Sequence, residues 1–173
     1  YMLSQAKKES NPAMKGVAMV LKALVMSNIV DAYGNVPYFD ALKIALQKDE
    51  VSYTMKYDDM KLIYSDLFAL LEDANSAFVE ADEMKNSGKL SQTDFSPLCD
   101  YMYEGNVDKW RRLGNSLYLR LLMRASLKVE EEGGIIDMSG TDRPDFSVRN
   151  KIAELYDCFV SEGGDYALMR GRS

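Results

Sequence analysis

Apolar residues between Asn11 and Tyr33 recur every three and four positions: Met14, Val17, Ala18, Val20, Leu21, Leu24, Val25, Ile29 and Val30. That spacing is the period of an α-helix, in which such positions share a face. The ends carry matching signals. Asn11 can cap the first turn, Pro12 suits the first helical position, and Gly34 can take the left-handed conformation that stops a helix. Lys22 and Asn28 interrupt the run. The apolar core is then only about 14 residues where a membrane span needs roughly 20, so the pattern predicts a buried core helix.

A second helix is predicted from near Asp58 to the Asn86-Ser87-Gly88 break. Met60, Ile63, Tyr64, Leu67, Leu70, Leu71, Ala74 and Phe78 form one stripe, with Lys61, Asp66, Glu72 and Asp73 on the solvated side. This is the pattern of an amphipathic surface helix. Residues 89–107 lose the period, and a short strand or extended segment is expected around Leu98 to Tyr103. A third helix is predicted over Val107 to Val129, where Trp110, Leu113, Leu117, Leu119, Leu121, Leu122, Met123 and Leu127 cover most of the circumference. Such a helix is packed on more than one side. Arg120 and Arg124, one turn apart within it, are expected as structural ties, because a buried guanidinium requires carboxylate or carbonyl partners.

Glu130 to Phe146 reads as a loop. A fourth helix follows from Ser147 to Val160, carrying Val148, Ile152, Leu155, Tyr156 and Phe159, and Gly163-Gly164 closes it. Helices in unbroken succession predict a mostly all-α fold of stacked helical hairpins, tetratricopeptide-like, with long irregular loops. No repeat of about 34 residues is visible, so this rests on helix order, and a compact four-helix bundle is the alternative. Residues 1–173 read as one helical region. The very apolar first and third helices favour a place within a larger domain, since four helices alone would leave apolar surface wet.

Composition narrows the function. With 47% hydrophobic and 28% charged residues among 173, the chain is globular rather than disordered. A net charge of −6 without a dense basic run disfavours nucleic acid. Lys109, Arg111 and Arg112 come nearest and read as a solvated helix face. Histidine is absent, which removes the commonest general base and zinc ligand. Cys99 and Cys158 form no metal-ligand spacing. The chain opens at Tyr1 with no start methionine or lipid-attachment cysteine, as expected of a processed or excised segment.

Catalytic patterns are missing: there is no G-x-S-x-G, phosphate loop or Cys/His pair. Glu72, Asp73 and Glu130 to Glu132 could in principle supply the paired carboxylates of a glycosidase, but all read as solvated charge. Asp137, Asp142 and Asp145 could wrap calcium, yet they lack the ligand positions of an EF-hand and read as a solvated loop. Enzyme readings therefore find little support, and neither a cofactor nor a metal is expected.

Two stretches carry a family resemblance. Asp31-Ala32-Tyr33-Gly34-Asn35-Val36-Pro37-Tyr38, at the end of a long helix, resembles the D-x-Y-G-[DN]-[IV]-P-Y signature of SusD/RagB-type proteins. Gly105-Asn106-Val107-Asp108-Lys109-Trp110, continuing through Asn115-Ser116-Leu117-Tyr118-Leu119-Arg120-Leu121-Leu122-Met123-Arg124, is similar to that family's G-D-x-x-K-W…N-S-L-x-L-R-L-x-x-R helix. Tyr57 to Lys61 and Ile63 to Leu67 match the order expected between them. The resemblance covers roughly residues 11 to 160, with Asn35 and Asn106 standing where Asp is common, and family members are several times longer. It implies a lipid-anchored protein at the outer-membrane surface of Bacteroidetes-type bacteria. Such proteins capture oligosaccharides for a TonB-dependent transporter of the SusC type and are not hydrolases. A helical scaffold for protein–protein interaction without sugar binding is the alternative.

The ligand-binding candidates are Tyr33, Asn35, Tyr38 and Trp110. Rings can stack on the apolar faces of sugars, and an amide can pair with hydroxyls. Each also has a structural reading: Gly34 and Pro37 turn the chain around the first three, and Trp110 suits a core anchor. Tyr53, Tyr57, Tyr101 and Tyr103, in less regular segments, are weaker candidates.

Overall fold

The computed structural model describes residues 2–8, 10–41, 55–89 and 100–160. The expectations at Tyr53, Cys99, Gly163 and Gly164 lie outside them. Among the described residues there are five helices: α1 (Met2–Lys8), α2 (Pro12–Tyr33), α3 (Met60–Asn86), α4 (Val107–Glu131) and α5 (Val148–Val160). Between α4 and α5, β1 (Ile135–Ile136) pairs antiparallel with β2 (Phe146–Ser147), so the Glu130 to Phe146 stretch is a small β-arm where a plain loop was expected.

Side-chain caps open three of the helices, the one at Asn11 as predicted. Asn11 Oδ1 accepts from the Met14 amide at 3.0 Å, with Pro12 in the first turn. Asn106 Oδ1 accepts from Lys109 N at 3.1 Å, and Asp59 Oδ1 from Lys61 N at 2.8 Å. At the end of α2, Gly34 adopts φ 72° and its amide reaches Val30 O at 2.8 Å. A side-chain cap of this kind is worth about 1 kcal/mol, so three of them help register more than they hold the fold.

Packing supplies the rest. Consecutive helices pack on each other, and α2 also meets α4. The contacts give directions: Gly16 of α2 faces Phe78 of α3, while Asp31 of α2 meets Tyr64 of α3, so the two run antiparallel. Asn75 of α3 meets Arg111 of α4, and Lys61 meets Glu132 just past its end, so α3 and α4 are antiparallel too. Gly114 of α4 faces Val20 of α2, and Arg124 meets Asp31, so α2 and α4 are parallel. The fold is mostly all-α, as predicted, and its alternate helices run parallel, as in stacked helical hairpins and in up-and-down bundles alike.

The core is built from Val17, Val20, Ala23 and Val30 of α2, Ile63, Leu67, Phe68 and Phe78 of α3, and Trp110, Leu117, Tyr118, Leu121 and Leu122 of α4. Each large side chain so buried contributes about 1.5–3 kcal/mol before the chain-ordering entropy is set against it. The α2 helix is long and apolar enough to cross a membrane, but half of its most apolar window is buried inside the protein, as expected of a core helix.

Three expectations are corrected. Around Asp100 to Tyr103 the chain makes a turn instead of a strand, because one carboxylate gathers the surrounding N–H groups: Asp100 accepts from Met102 N at 3.0 Å, Tyr103 N at 3.1 Å, Gly105 N at 3.0 Å and Trp110 Nε1 at 2.7 Å. Nor is α4 covered all round. Met123 (59% exposed) and Leu127 (78%) lie on an open face, with Val25 and Ile29 exposed on the neighbouring α2. Arg120 and Arg124, on that same open face, are exposed rather than buried; Arg124 does form an ion pair with Asp31. A pair that wet contributes at most about 1 kcal/mol.

Candidate functional site

The turn after α2 is clasped to the start of α3, and its polar side chains are the clasp. Val36 and Asp58 form an antiparallel bridge, with Asp58 N donating to Val36 O at 3.0 Å. Asp58 Oδ2 accepts in return from the amides of Tyr38 at 2.8 Å and Phe39 at 2.9 Å. Asn35 Oδ1 accepts from Met60 N at 3.0 Å, taking up one of the N–H groups that the first turn of α3 leaves open. Asp31 accepts from the Tyr64 hydroxyl and pairs with Arg124, so one carboxylate joins α2, α3 and α4. Burial raises the Tyr64 phenol above its ordinary value, against the pull of nearby Arg120.

Tyr38 is buried, and its hydroxyl donates to Asp66. Burial first, and then the Asp66 carboxylate, push this phenol well above its ordinary pKa. Lys22 pairs with Asp66 at 3.8 Å and stands 4.6 Å from the centre of the Tyr38 ring. Trp110 is 3% exposed, its ring edge-on to Tyr103 at 5.1 Å and its Nε1 on Asp100. Burial raises the Asp100 pKa, but Trp110 and the three amides outweigh it and hold the carboxyl below the usual range. Of the four candidates, the structure gives Asn35, Tyr38 and Trp110 structural contacts. Tyr33 is 79% exposed at the end of α2. The secondary candidates Tyr57 and Tyr101 are also exposed, and Tyr103 packs on Trp110.

The acidic loop is occupied in the same way. Asp137 Oδ1 accepts from Ser139 N at 2.8 Å, and Asp145 Oδ1 from Met138 N at 2.7 Å. Among the described residues no cluster of three or more carboxylate, Cys or His groups could hold a metal.

A different place was missed in the sequence. Between α3, α4, the β-arm and α5 lies a cavity of about 440 Å³, lined among others by Glu72, Tyr118, Arg143, Phe146, Lys151 and Glu154. Lys151 Nζ sits 2.9 Å from Glu72 Oε1 and 3.1 Å from Glu154 Oε2, and 5.9 Å from the centre of the Tyr118 ring. The Lys151 and Glu72 side chains are only 16% and 14% exposed, so Glu72, expected on a solvated face, is in a mostly buried ion pair. Arg143 pairs with Asp73, whose carboxylate outweighs the effect of burial and raises the guanidinium pKa. The groups come from three separate parts of the chain. The only local signal was that Glu72 and Asp73 stand beside the apolar stripe of α3.

Comparison with known proteins fits this architecture. A crystal structure from Bacteroides vulgatus, described as an outer membrane protein involved in nutrient binding, is 24% identical with a TM-score of 0.62, over 92% of this chain and 27% of that one. A SusD homolog from Bacteroides uniformis is 27% identical with a TM-score of 0.56, over 76% of this chain and 24% of that one. The chain thus spans about a quarter of the length of either structure. No curated protein matches it. The SusD-like family model, described as starch-binding and associating with the outer membrane, matches residues 1–138. By that match, over residues 1–138 of 173, the chain belongs to the SusD-like family.

Proposed function

We propose that this chain is the helical scaffold of a longer, cell-surface glycan-binding protein that hands oligosaccharides to a TonB-dependent transporter of the SusC type for nutrient uptake. The family match over residues 1–138 carries the reading. The nutrient-binding description of the B. vulgatus relative and the SusD-like character of the B. uniformis one support it. The apolar side chains left exposed on α2 (Val25 and Ile29) and on α4 (Met123 and Leu127) agree with a longer parent, in which further chain or a partner covers them.

In this reading the protein is a binder without hydrolytic activity, anchored to the outer membrane by a lipid on the full-length parent. The helices hold a shape, and exposed groups meet the glycan. Tyr33 offers a free ring face; Asn35, Tyr38 and Trp110 act from behind by fixing the helices.

Calorimetry of the full-length protein against a panel of oligosaccharides tests the proposal. Saturable heat for at least one glycan, with no cleavage products after long incubation, is expected. A scaffold without a sugar role gives no saturable heat with any of them.

A further inference from the structure

We infer that the clasp between the end of α2 and the start of α3 binds a neutral saccharide: Tyr33 and Tyr57 stack on it, and the Asn35 amide donates to a hydroxyl. This rests on the glycan-binding reading above and gives it a place within this chain. The fold brings these residues to one end of the stack. The Val36–Asp58 bridge and the bond from Met60 N to Asn35 Oδ1 join the turn after α2 to the start of α3. Tyr33 stands just ahead of one side of that bridge, and Tyr57 just ahead of the other.

The rings are the first observation. Tyr33 and Tyr57 are 79% and 66% exposed, and among the described residues neither packs on another ring. The backbone beneath them is fixed: Asp58 N donates to Val36 O at 3.0 Å, and Asp58 Oδ2 accepts from the amides of Tyr38 and Phe39 at 2.8 and 2.9 Å. A tyrosine ring on a fixed backbone gives up little freedom when it meets the C–H face of a sugar.

The polar groups are the second observation. Asn35 Oδ1 and Asp59 Oδ1 hold consecutive amides of α3, Met60 N at 3.0 Å and Lys61 N at 2.8 Å. Those bonds set the two side chains close together, each in one orientation. Both residues are exposed, and among the described residues Asn35 Nδ2 and Asp59 Oδ2 make no hydrogen bond. An N–H donor beside a carboxylate oxygen matches a pair of neighbouring sugar hydroxyls, and held groups lose little entropy on binding. Capping alone does not call for an amide at Asn35, because a carboxylate accepts the same N–H and suits the positive end of a helix better. The NH2 group is what asparagine adds.

The charge balance selects among sugars. Once Asp31 is set against Arg124 and Lys61 against Glu132, residues 31–41 and 55–61 hold Asp40, Asp58 and Asp59 against Lys56. The surplus negative charge repels a uronate or a sulfate and leaves a neutral oligosaccharide unaffected.

The full-length protein is screened on an array of neutral gluco-, xylo-, manno- and galacto-oligosaccharides beside uronate-bearing and sulfated ones. Hits are titrated by calorimetry with wild type, Tyr33→Ala, Tyr57→Ala, Asn35→Asp and Tyr101→Ala, and melting temperatures are compared. Asn35→Asp keeps an oxygen for Met60 N and removes the donor; Tyr101 is an exposed ring ahead of α4, at the other end of the stack. The expected result is a neutral hit whose affinity falls about tenfold in Tyr33→Ala and in Tyr57→Ala and several-fold in Asn35→Asp, at unchanged melting temperature. Wild-type affinity in either tyrosine variant, or an equal fall in Tyr101→Ala, overturns the site and leaves the glycan-binding reading intact. Wild-type affinity in Asn35→Asp overturns the amide's part in it. Hits confined to acidic glycans overturn the neutral-ligand assignment. An array on which wild type binds nothing overturns the glycan-binding reading, and the site with it.

Discussion

Replacing Asp100 by Ala removes the one acceptor shared by four N–H groups: the amides of Met102, Tyr103 and Gly105 and the indole of Trp110. Trp110 is buried, so its Nε1–H is left without an acceptor at a cost of about 1–3 kcal/mol. The three amides lie in a partly exposed turn where water can take the carboxylate's place, so together they add about 1–2 kcal/mol, comparable to a lost helix cap. The sum is about 2–5 kcal/mol, a large share of the 5–15 kcal/mol typical of whole-domain stability. Asp100→Asn keeps one oxygen, hence one of the two pairs of bonds, and its loss is expected to fall between wild type and Asp100→Ala.

The same carboxylate predicts a pH signature. Its folded pKa is held below the ordinary value, so it contributes stability above the unfolded pKa of about 3.9 and loses it as pH falls through the lower folded value. The gap between wild type and Asp100→Ala is therefore widest at neutral pH and narrows in acid below about pH 4. Equilibrium urea denaturation followed by circular dichroism, at neutral and acid pH, measures both effects. A neutral-pH loss under about 1 kcal/mol, or a gap unchanged in acid, refutes the account of Asp100 as the organiser of this turn.

Three further outcomes are expected. Gly16→Ala gains up to about 1 kcal/mol of helix propensity, but a Cβ there would meet the Phe78 ring at 2.6 Å; a net fall in melting temperature, relieved by Phe78→Leu in the double variant, is predicted from thermal denaturation. The raised Tyr38 phenol contributes stability below its unfolded pKa of about 10 and loses it as pH rises through the higher folded value. In alkaline denaturation Tyr38→Phe should therefore weaken less steeply than wild type, and parallel curves would count against the buried Tyr38–Asp66 contact. Lys151→Met removes the ammonium from a mostly buried pair with Glu72 at a cost of up to about 3 kcal/mol, whereas Glu72→Leu with Lys151→Met restores part of it; equal losses in single and double variants on urea titration would argue that Glu72 is better solvated than the structure places it.

Much of the fold was legible because its causes are local. The period of Met14 to Val30, the cap at Asn11 and the stop at Gly34 each act within a turn of chain, and α2 runs from Pro12 to Tyr33 as they require. Where the expected strand is described, from Asp100 to Tyr103, the chain turns instead, because Trp110, a turn into the next helix, contributes a donor to the carboxylate that folds Asp100 to Gly105. Apolar coverage of α4 overstated its burial, since periodicity shows which faces are apolar but not whether another element arrives to cover them. Met123 and Leu127 are apolar and open.

The signature turn divides along the same line. Its sequence alone determined that a helix ends at Gly34, that Pro37 directs the exit, and that the chain resembles the SusD-like family, because those properties belong to short runs of residues. Only the tertiary structure decided what Asp31, Asn35 and Tyr38 do: each meets a partner on α3 or α4, chosen by packing between helices remote in the chain. The cavity lies wholly on that second side. Glu72, Arg143 and Lys151 carry no shared motif, and their charges converge because apolar burial elsewhere brings α3, the β-arm and α5 together.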